Sequence, residues 1–526
     1  MRFFNTAGPV RCQKHYCLPP LERFNLDEII SLIDQEKYFV LHAPRQTGKT
    51  SCLLALMEYL NAGDKYNCLY CNVESAQAAR EDVNKAIQAI LNELGSQARY
   101  FLKDAFVDSL WPDILKRSGG YGALNEVLTR WAEKNTKPLV ILIDEIDSLV
   151  GDTLISVLRQ LRAGYTKRSA MFPQSIILCG VRDVRDYRIH SSKEKTIITG
   201  GSAFNIRAES LRLGDFEKDE IAELFGQHTA ETGQIFSDDA VALVWELTEG
   251  QPWLVNALGY EVCFRMKSGR DRTKVITDEM VRQAKESIVL RRETHIDQLT
   301  DKLREERVRR IIQPILAGKD QPEQLIEDDV QYVEDLGLIK TKGQLRIANG
   351  IYREIIPRSL IYTTQLTISH EPAWYIRSDN GCLDMDKLLT AFQDFFRKHS
   401  EHWIDRFDYK EAGPQLLLQG FLQRIVNSGG RVEREYGLGR MRTDLFVTWQ
   451  CKDGVQKIVL ELKILYGSLE QTIENGLDQS WRYMDQCGAD EGHLIIFDRY
   501  EKKPWAEKIF KKEELFKGIK IKIWGM

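Results

Sequence analysis

Through the first two-fifths of the chain, short apolar runs alternate with stretches whose apolar positions recur at helical spacing. The runs Tyr38–His42, Asn67–Val73, Leu139–Ile143 and Ser175–Gly180 predict strands. Thr50–Leu60, Arg80–Leu94 and Gly122–Lys134 predict the helices between them. Strand and helix in turn predict an α/β fold, a parallel sheet with crossover helices on its faces. From Asp215 to about Leu290 the pattern is helical only, with cap signals at Asp215 and Ser237. From about Thr300 two helical patterns lead into Gly337-Leu338-Ile339, Lys342-Gly343 and Gln344–Ala348, the order of a winged helix ending near Leu360. After about Trp374 come a helix Met385–Phe396, a second helix Pro414–Asn427, a hairpin, a strand, a helix and two more strands. That tail predicts a second α/β domain, large enough to fold alone. The expected boundaries are 1–214 for the first α/β core, 215–298 for a helical lid, 299–362 for a winged-helix-like module, 363–373 for a linker and 374–526 for the tail.

Composition narrows the function classes only a little. The 73 Lys+Arg and 77 Asp+Glu leave a formal charge of −4, which excludes a globally basic nucleic-acid coat but not a local basic patch. With 43% apolar residues and 14 prolines, the 526-residue chain can bury a large core. The longest aliphatic run, Leu139–Ile143, is far short of the roughly 18 residues a membrane span needs, and Met1-Arg2-Phe3-Phe4-Asn5 has no apolar signal stretch. Ten cysteines scattered without framework spacing fit a reducing cytoplasm, the expected location, with no membrane partner. Cys68 and Cys71 form a C-x-x-C on a predicted strand, where residues three apart face opposite sides. They read as core residues rather than a metal clip.

Two strings carry chemistry in the first core. Strand Tyr38–His42 runs into Ala43-Pro44-Arg45-Gln46-Thr47-Gly48-Lys49-Thr50 and then a helix, the form of a phosphate-binding loop with Ala43 where glycine is commonest. In such a loop backbone N–H groups wrap the phosphates, Lys49 reaches the β- and γ-phosphates, and the Thr50 hydroxyl binds Mg²⁺. The run Leu139–Ile143 then delivers Asp144-Glu145 at its end. Asp144 would hold Mg²⁺ and Glu145 would polarise the attacking water, so the expected cofactors are ATP and Mg²⁺. A glycine-containing strand-to-helix turn and two solubilising acids are the plainer readings of each string alone; their pairing in strand context argues against both.

These strings, with Thr248-Glu249-Gly250-Gln251-Pro252-Trp253, resemble the AAA-like and STAND group of P-loop ATPases over about residues 1–360. The resemblance implies that Gly250 and Pro252 sense the nucleotide, though a plain helix–helix turn would look the same. It makes Ser175–Gly180 the sensor strand. The usual polar sensor is missing at Cys179-Gly180, which leaves Arg182 or Arg185 to sense the γ-phosphate. Arg159 or Arg162 would be a finger for a neighbouring subunit in a homo-oligomer, against the ordinary reading of surface arginines.

The tail offers a different chemistry. A hairpin, Arg431–Tyr436 with Arg442–Trp449, carries Asp444; the next strand, Lys457–Ile464, carries Glu461 and Lys463 on one face and Leu460, Leu462 and Ile464 on the other. Two carboxylates suit a hard cation that keeps several waters, and the ammonium beside them suits phosphate chemistry. Gln479 and Tyr483 follow one turn apart on a helix. This order resembles the PD-(D/E)XK nucleases, RecB-like members in particular, over roughly 374–526. The resemblance implies Asp444, Glu461, Lys463, Gln479 and Tyr483 as catalytic residues, with Asp444 and Glu461 as metal ligands. The acid usual on the preceding helix is replaced by Gln415, Gln419 and Gln423, so Glu411 or Glu435 would have to substitute. Arg434, Arg440, Arg442 and Arg482 would suit DNA phosphates. The lysines from Lys502 to Lys522 would extend that surface, or form a solvated face with interspersed acids. Glu323, Glu327, Asp328, Asp329, Glu334 and Asp335 make the winged helix's expected recognition helix one that repels DNA, hence a packing or subunit-contact element. The function expected is an ATP-binding, ATP-hydrolysing protein gating an Mg²⁺-dependent DNA nuclease. The alternatives are a STAND-like switch or scaffold whose nuclease-fold tail only binds DNA or protein, and an ATPase whose tail binds protein partners.

Overall fold

The computed structural model describes residues 1–183, 188–191, 196–199, 204–291, 301–316, 326–343, 345–360, 375–377, 379–404, 418–419, 421–422, 430–438, 441–452, 454–465, 467–498, 500 and 503–526. The chain divides into two compact units, Met1–Leu299 with Leu325–Tyr352, and Thr300–Gln324 with Arg353–Met526. Among the described residues no helix is long and apolar enough to cross a membrane.

The first unit is built on a five-stranded sheet in the order β4 (Asn67–Asn72), β5 (Leu139–Asp144), β6 (Ser175–Gly180), β3 (Tyr38–His42), β9 (Arg207–Arg212). Every pairing in it is parallel. The strands are apolar on both faces because both faces are covered, as parallel sheets require. Phe39, Leu41, Val140, Leu142 and Ile177 pack with Cys52, Leu53 and Leu56 of helix Lys49–Ala62. Tyr38, Val40, Ile141, Ile143 and Leu178 pack on the opposite face with helices Val83–Phe101, Ala123–Lys134 and Gly151–Gly164. Each buried aliphatic side chain contributes about 1.5–3 kcal/mol, so the sheet is the rigid base of the unit. Cys68 belongs to one of these cores and Cys71 to the other, on opposite sheet faces.

Several elements differ from the sequence pattern. Helix Phe106–Ser118 was masked by its internal Pro112, and β9 by a sequence, Arg-Ala-Glu-Ser-Leu-Arg, without apolar alternation. Ser237 caps Asp238–Thr248, accepting from the Ala240 amide at 3.2 Å. Asp215 is no cap: Glu217 holds that position before Lys218–Thr232, its N–H donating to Glu220 at 2.6 Å. The cysteines also need correction, because Cys12 is bonded to Cys17 and Cys382 to Cys451. Neither pair was legible, since the partners of the second lie 69 positions apart and the first closes only a tight turn.

Helix Glu327–Asp335 and the pair β10 (Ile339–Lys340) and β11 (Arg346–Ile347), antiparallel around Gly343 at φ +84°, belong to the first unit. Helix Glu306–Leu316 belongs to the second.

The second unit carries a six-stranded mixed sheet in the order β12 (Gly430–Leu438), β13 (Met441–Cys451), β14 (Gly454–Ile464), β15 (Glu491–Phe497), β17 (Ile519–Gly525), β16 (Phe510–Phe516). β12, β13 and β14 are antiparallel, β14, β15 and β17 parallel, and β16 antiparallel to β17. Three strands, not two, thus follow helix Leu469–Cys487. Leu445, Ile458 and Leu460 face helix Met385–Ile404, while Phe446, Val459, Leu477 and Met484 pack on the other side. Of the expected helix Pro414–Asn427 only residues 418–419 and 421–422 are described, and they are helical.

Candidate functional site

The phosphate-binding loop leaves β3 at Ala43, whose amide extends the sheet pairing to the Gly180 carbonyl at 3.2 Å. Thr47 closes the loop on itself, its hydroxyl donating to the Pro44 carbonyl at 2.8 Å. Gly48 has φ +96°, which glycine adopts without strain, and a Cβ there would meet the Arg23 guanidinium at 3.3 Å. The helix then starts at Lys49. The Lys49 ammonium folds back over the loop, donating to the Ala43 carbonyl at 2.9 Å and the Pro44 carbonyl at 3.0 Å.

Thr50 and Asp144, far apart in sequence, meet here. The Thr50 hydroxyl donates to Asp144 Oδ2 at 2.7 Å, and the Tyr70 hydroxyl donates to the same oxygen at 3.0 Å. Asp144 is fully buried at the end of β5. Glu145 follows at φ +57°, and burial, reinforced by Asp147, raises its carboxyl above the ordinary range. A buried carboxylate joined to a hydroxyl is the oxygen donor set that suits Mg²⁺. A cavity of about 560 Å³ opens over the loop, lined by Arg45, Gln46, Thr47, Gly48, Lys49 and Thr50, with Glu145, Pro252 and Trp253 on its walls. That volume lies within the range of small-molecule sites.

Other expected residues lie elsewhere. Ala43 and Pro44 shape the loop from behind, and Pro44 abuts Gly337, where a Cβ would come within 2.8 Å. Gly250 is steric: at φ +81°, its Cβ would sit 1.9 Å from the Phe216 carbonyl oxygen. Arg182 is not among the cavity's lining residues. Its Nε donates to Asp335 at 3.1 Å, and its guanidinium lies 4.8 Å over the Tyr332 ring. Glu334, beside Asp335, accepts from the Thr341 hydroxyl at 2.7 Å and lies 3.7 Å from Arg212. Asp335 of helix Glu327–Asp335 therefore pairs with buried Arg182, and Glu334 lies against exposed Arg212. Arg159 and Arg162 are exposed on helix Gly151–Gly164. Arg185 lies outside the described residues.

The cavity also has walls that sequence pattern missed. Arg23 donates to the Thr47 carbonyl at 3.1 Å and the Gly214 carbonyl at 2.6 Å, and lies 4.6 Å over the Phe216 ring. Residues Asn5 to Val10 form another wall, tied by Trp253 Nε1 to the Thr6 carbonyl at 2.9 Å and by the Val10 amide to the Ser51 hydroxyl at 2.9 Å. No motif or periodicity marks either feature; only the Pro19-Pro20 turn precedes Arg23.

In the second unit the register Leu445 opposite Leu460 carries Asp444 beside Glu461. Asp444 Oδ2 accepts from the Leu462 amide at 2.8 Å, and Lys463 Nζ donates to Glu461 Oε1 at 2.7 Å. Burial and the neighbouring Asp444 push the Glu461 carboxyl up to about 7. Glu461 Oε2 is buried and has no hydrogen-bond partner, so this pair could accept a hard cation. Lys463 and Gln479 line one groove of about 550 Å³ with Thr472, Asn475, Asp478 and Arg482. Tyr483 does not join them; it is buried in the core with Leu477 and Met484. Among the described residues no cluster of three or more His, Cys, Asp or Glu could hold a metal. Glu411, Gln415, Gln423, Arg440 and Lys502 lie outside the described residues, as do the side chains of Arg434, Glu435 and Arg442. The basic terminus is largely balanced internally, with Lys503 on Asp498 at 2.7 Å, Lys517 on Asp478 at 3.0 Å, Lys520 on Glu513 at 3.1 Å and Lys522 on Asp386 at 2.9 Å.

No curated protein sequence matches the chain. Among solved structures it is similar to a Walker-type ATPase of Pyrococcus abyssi, at 15% identity and TM-score 0.46, covering 67% of this chain and 99% of that one. Cdc6p from Pyrobaculum aerophilum follows at 15% identity and TM-score 0.36, covering 66% and 95%. The Thermotoga maritima RuvB Holliday junction branch migration motor gives 13% identity and TM-score 0.32, covering 64% and 96%. The family model described as the AAA-like domain matches residues 21–356, well over half of the chain, and the chain belongs to that family.

Proposed function

We propose that the first unit binds and hydrolyses ATP, and that its nucleotide state gates an Mg²⁺-dependent DNA nuclease in the second unit. The observation that carries the ATPase half is the Thr50–Asp144 hydrogen bond at the floor of the loop cavity, with Glu145 beside it. The loop amides and Lys49 bind the β- and γ-phosphates, and Arg23 braces the loop through the Thr47 carbonyl. Thr50 and Asp144 would hold Mg²⁺. Glu145, with its affinity for protons raised, orients water and takes up a proton.

For the second unit the support is the Asp444, Glu461 and Lys463 cluster beside a polar groove. Asp444 and Glu461 would hold Mg²⁺. In both places Mg²⁺ supplies neutralisation of phosphate charge when bound. Lys463 orients water or screens charge at the phosphodiester, and Gln479 and Arg482 contact the backbone. A homo-oligomer with a finger from Arg159 or Arg162 belongs to the same proposal.

A switch or scaffold with a binding-only tail is the second reading, favoured by the internal pairing of the terminal lysines. Cleavage of plasmid and single-stranded DNA, with and without Mg²⁺ and ATP, separates the two. Loss of cleavage in Asp444→Ala and Lys463→Ala supports the nuclease. Cleavage that neither substitution alters removes this centre, and binding without cleavage favours the scaffold.

A further inference from the structure

The wall of the nucleotide cavity formed by residues Asn5 to Val10 is part of a closed loop. Its ends are paired, β1 (Phe3–Phe4) with β2 (His15–Tyr16), and its return limb, Tyr16, Cys17 and Leu18, lines the same cavity. The turn between the limbs is tight, with the Lys14 and His15 amides both donating to the Arg11 carbonyl at 2.8 Å. The return limb is fixed: the Gln227 carboxamide accepts from the Cys17 amide at 3.1 Å and donates to the Cys17 carbonyl at 2.9 Å. The outgoing limb is anchored at two separate points, Thr6 to Trp253 and Val10 to Ser51. The Cys12–Cys17 disulfide joins the two limbs. Cys12 is exposed, within reach of a reductant, while Cys17 is half-buried.

We propose that Cys12–Cys17 is a redox latch on the loop that walls the nucleotide cavity, so that its reduction speeds nucleotide exchange. The proposal rests on the reading of this cavity as the ATP site. A dithiol reductant supplies the electrons. One of its thiolates attacks Cys12 Sγ, the Cys12–Cys17 bond breaks, and Cys17 leaves as a thiolate. The reductant's second thiol resolves the mixed disulfide. Two electrons and two protons end on Cys12 and Cys17 as thiols, and the reductant becomes a disulfide. The limb from Asn5 to Cys12 then loses its disulfide crosslink to the Gln227-anchored limb and is held by the backbone of the intervening turn and by its hydrogen bonds.

The latch can be addressed selectively. Cys52, Cys68, Cys71, Cys179 and Cys263 are buried free thiols and Cys487 is half-buried; burial pushes Cys52, which also lines the cavity, up to about 11, and raises Cys487 as well. Thiolate chemistry is therefore directed away from them. The second disulfide, Cys382–Cys451, lies in the other unit and is the internal control.

The test uses the full chain and a methylanthraniloyl-labelled ADP, with stopped-flow release measured before and after treatment with a dithiol. Release should accelerate about fivefold on reduction, the factor expected for closure worth one net hydrogen bond. The Cys12→Ser/Cys17→Ser double variant should release at the fast rate under both conditions. Cys382→Ser/Cys451→Ser should keep the full response. Hydrogen exchange over residues 5–12, read without nucleotide, should rise on reduction in the parent chain and in Cys382→Ser/Cys451→Ser, and should not change in Cys12→Ser/Cys17→Ser. Equal release rates and unchanged exchange overturn the latch, as does alkylation of Cys12 and Cys17 before any reduction. If no labelled nucleotide binds but exchange still rises on reduction, the latch stands and the ATP reading fails.

Discussion

Replacing Asp335 by Ala should destabilise the first unit by about 3 kcal/mol, because it removes the buried carboxylate that accepts from the Arg182 guanidinium. The side chains of Arg182 and Asp335 are 7% and 1% exposed, so the pair at 3.1 Å is shielded from water on both sides. Breaking a buried pair by removing one partner costs about 3–5 kcal/mol, since the remaining charge stays desolvated. The lower end applies because the Tyr332 ring, 4.8 Å from the guanidinium, continues to offer its face to the cation. Asp335→Asn should cost less, since it leaves an acceptor in place. Removing both charges with Arg182→Met/Asp335→Leu should cost less than the sum of the single changes, with a coupling of about 1–3 kcal/mol. Urea unfolding of the full chain, followed through the transition that ATP shifts, measures each value. Single effects that add within about 0.5 kcal/mol would mean that the two side chains do not depend on each other. The acidic helix would then have to be explained as a solvated surface.

The other outcomes concern the two sites and one turn. Lys49→Ala should abolish nucleotide binding by equilibrium titration, whereas Glu145→Gln should bind normally and stop turnover; turnover in both variants refutes the loop assignment. Glu461 should make stability fall with pH. Its carboxyl ionises near 4.5 when unfolded and at about 7 when folded, so the cost of burying the charge is absent below 4.5, grows between those values and is complete above 7. In chelator, Glu461→Gln should therefore stabilise the second unit by up to about 3 kcal/mol at pH 8 and by little at pH 4.5. A melting temperature that the substitution lowers equally at both pH values contradicts this. Gly250→Ala should cost about 2–4 kcal/mol, through left-handed backbone strain and the clash with Phe216, without changing nucleotide contacts in the variant that remains folded. A melting temperature within 2 °C or so of the parent's would refute the steric role.

What could be read from the sequence follows the range of the forces involved. The buried strands were legible because their apolar runs serve two covered faces, so β3 and β6 have the residues the pattern gives. The loop from Ala43 to Thr50 was legible because phosphate binding fixes both backbone shape and residue type over a few positions. Asp444, Glu461 and Lys463 were legible because strand alternation puts neighbours on known faces. Arg23, the Asn5–Val10 wall and the Arg182–Asp335 pair were not. They are pairings across the fold, the last separated by 153 positions, and no local periodicity encodes them. Tyr483 lies apart from Gln479 for a related reason. Its spacing from Gln479 is helical, but Leu477 and Met484 draw it into the core while Gln479 stays in the groove.

The choice between a nuclease and a binding-only tail turns on what Glu461 costs. A buried acceptor oxygen without a partner costs about 1–3 kcal/mol, and the adjacent Asp444 adds repulsion wherever both acids are ionised. A domain kept only for docking gains stability by replacing Glu461 with Gln or Leu, since neither the Leu460 core nor the sheet register depends on its charge. Lys463 repays part of the cost through one oxygen and leaves the other unsatisfied. A buried Glu461 carboxylate beside a half-buried Asp444, with the ammonium of groove-lining Lys463 next to them, makes sense where a divalent cation offsets the repulsion. Local frustration of this kind is expected where function, not folding, selects the residues. The decisive comparison is therefore the stability of Glu461→Gln with and without Mg²⁺. A cation that stabilises the parent and not the variant ties the burial cost to metal binding, and a cation that stabilises neither leaves the scaffold as the simpler account.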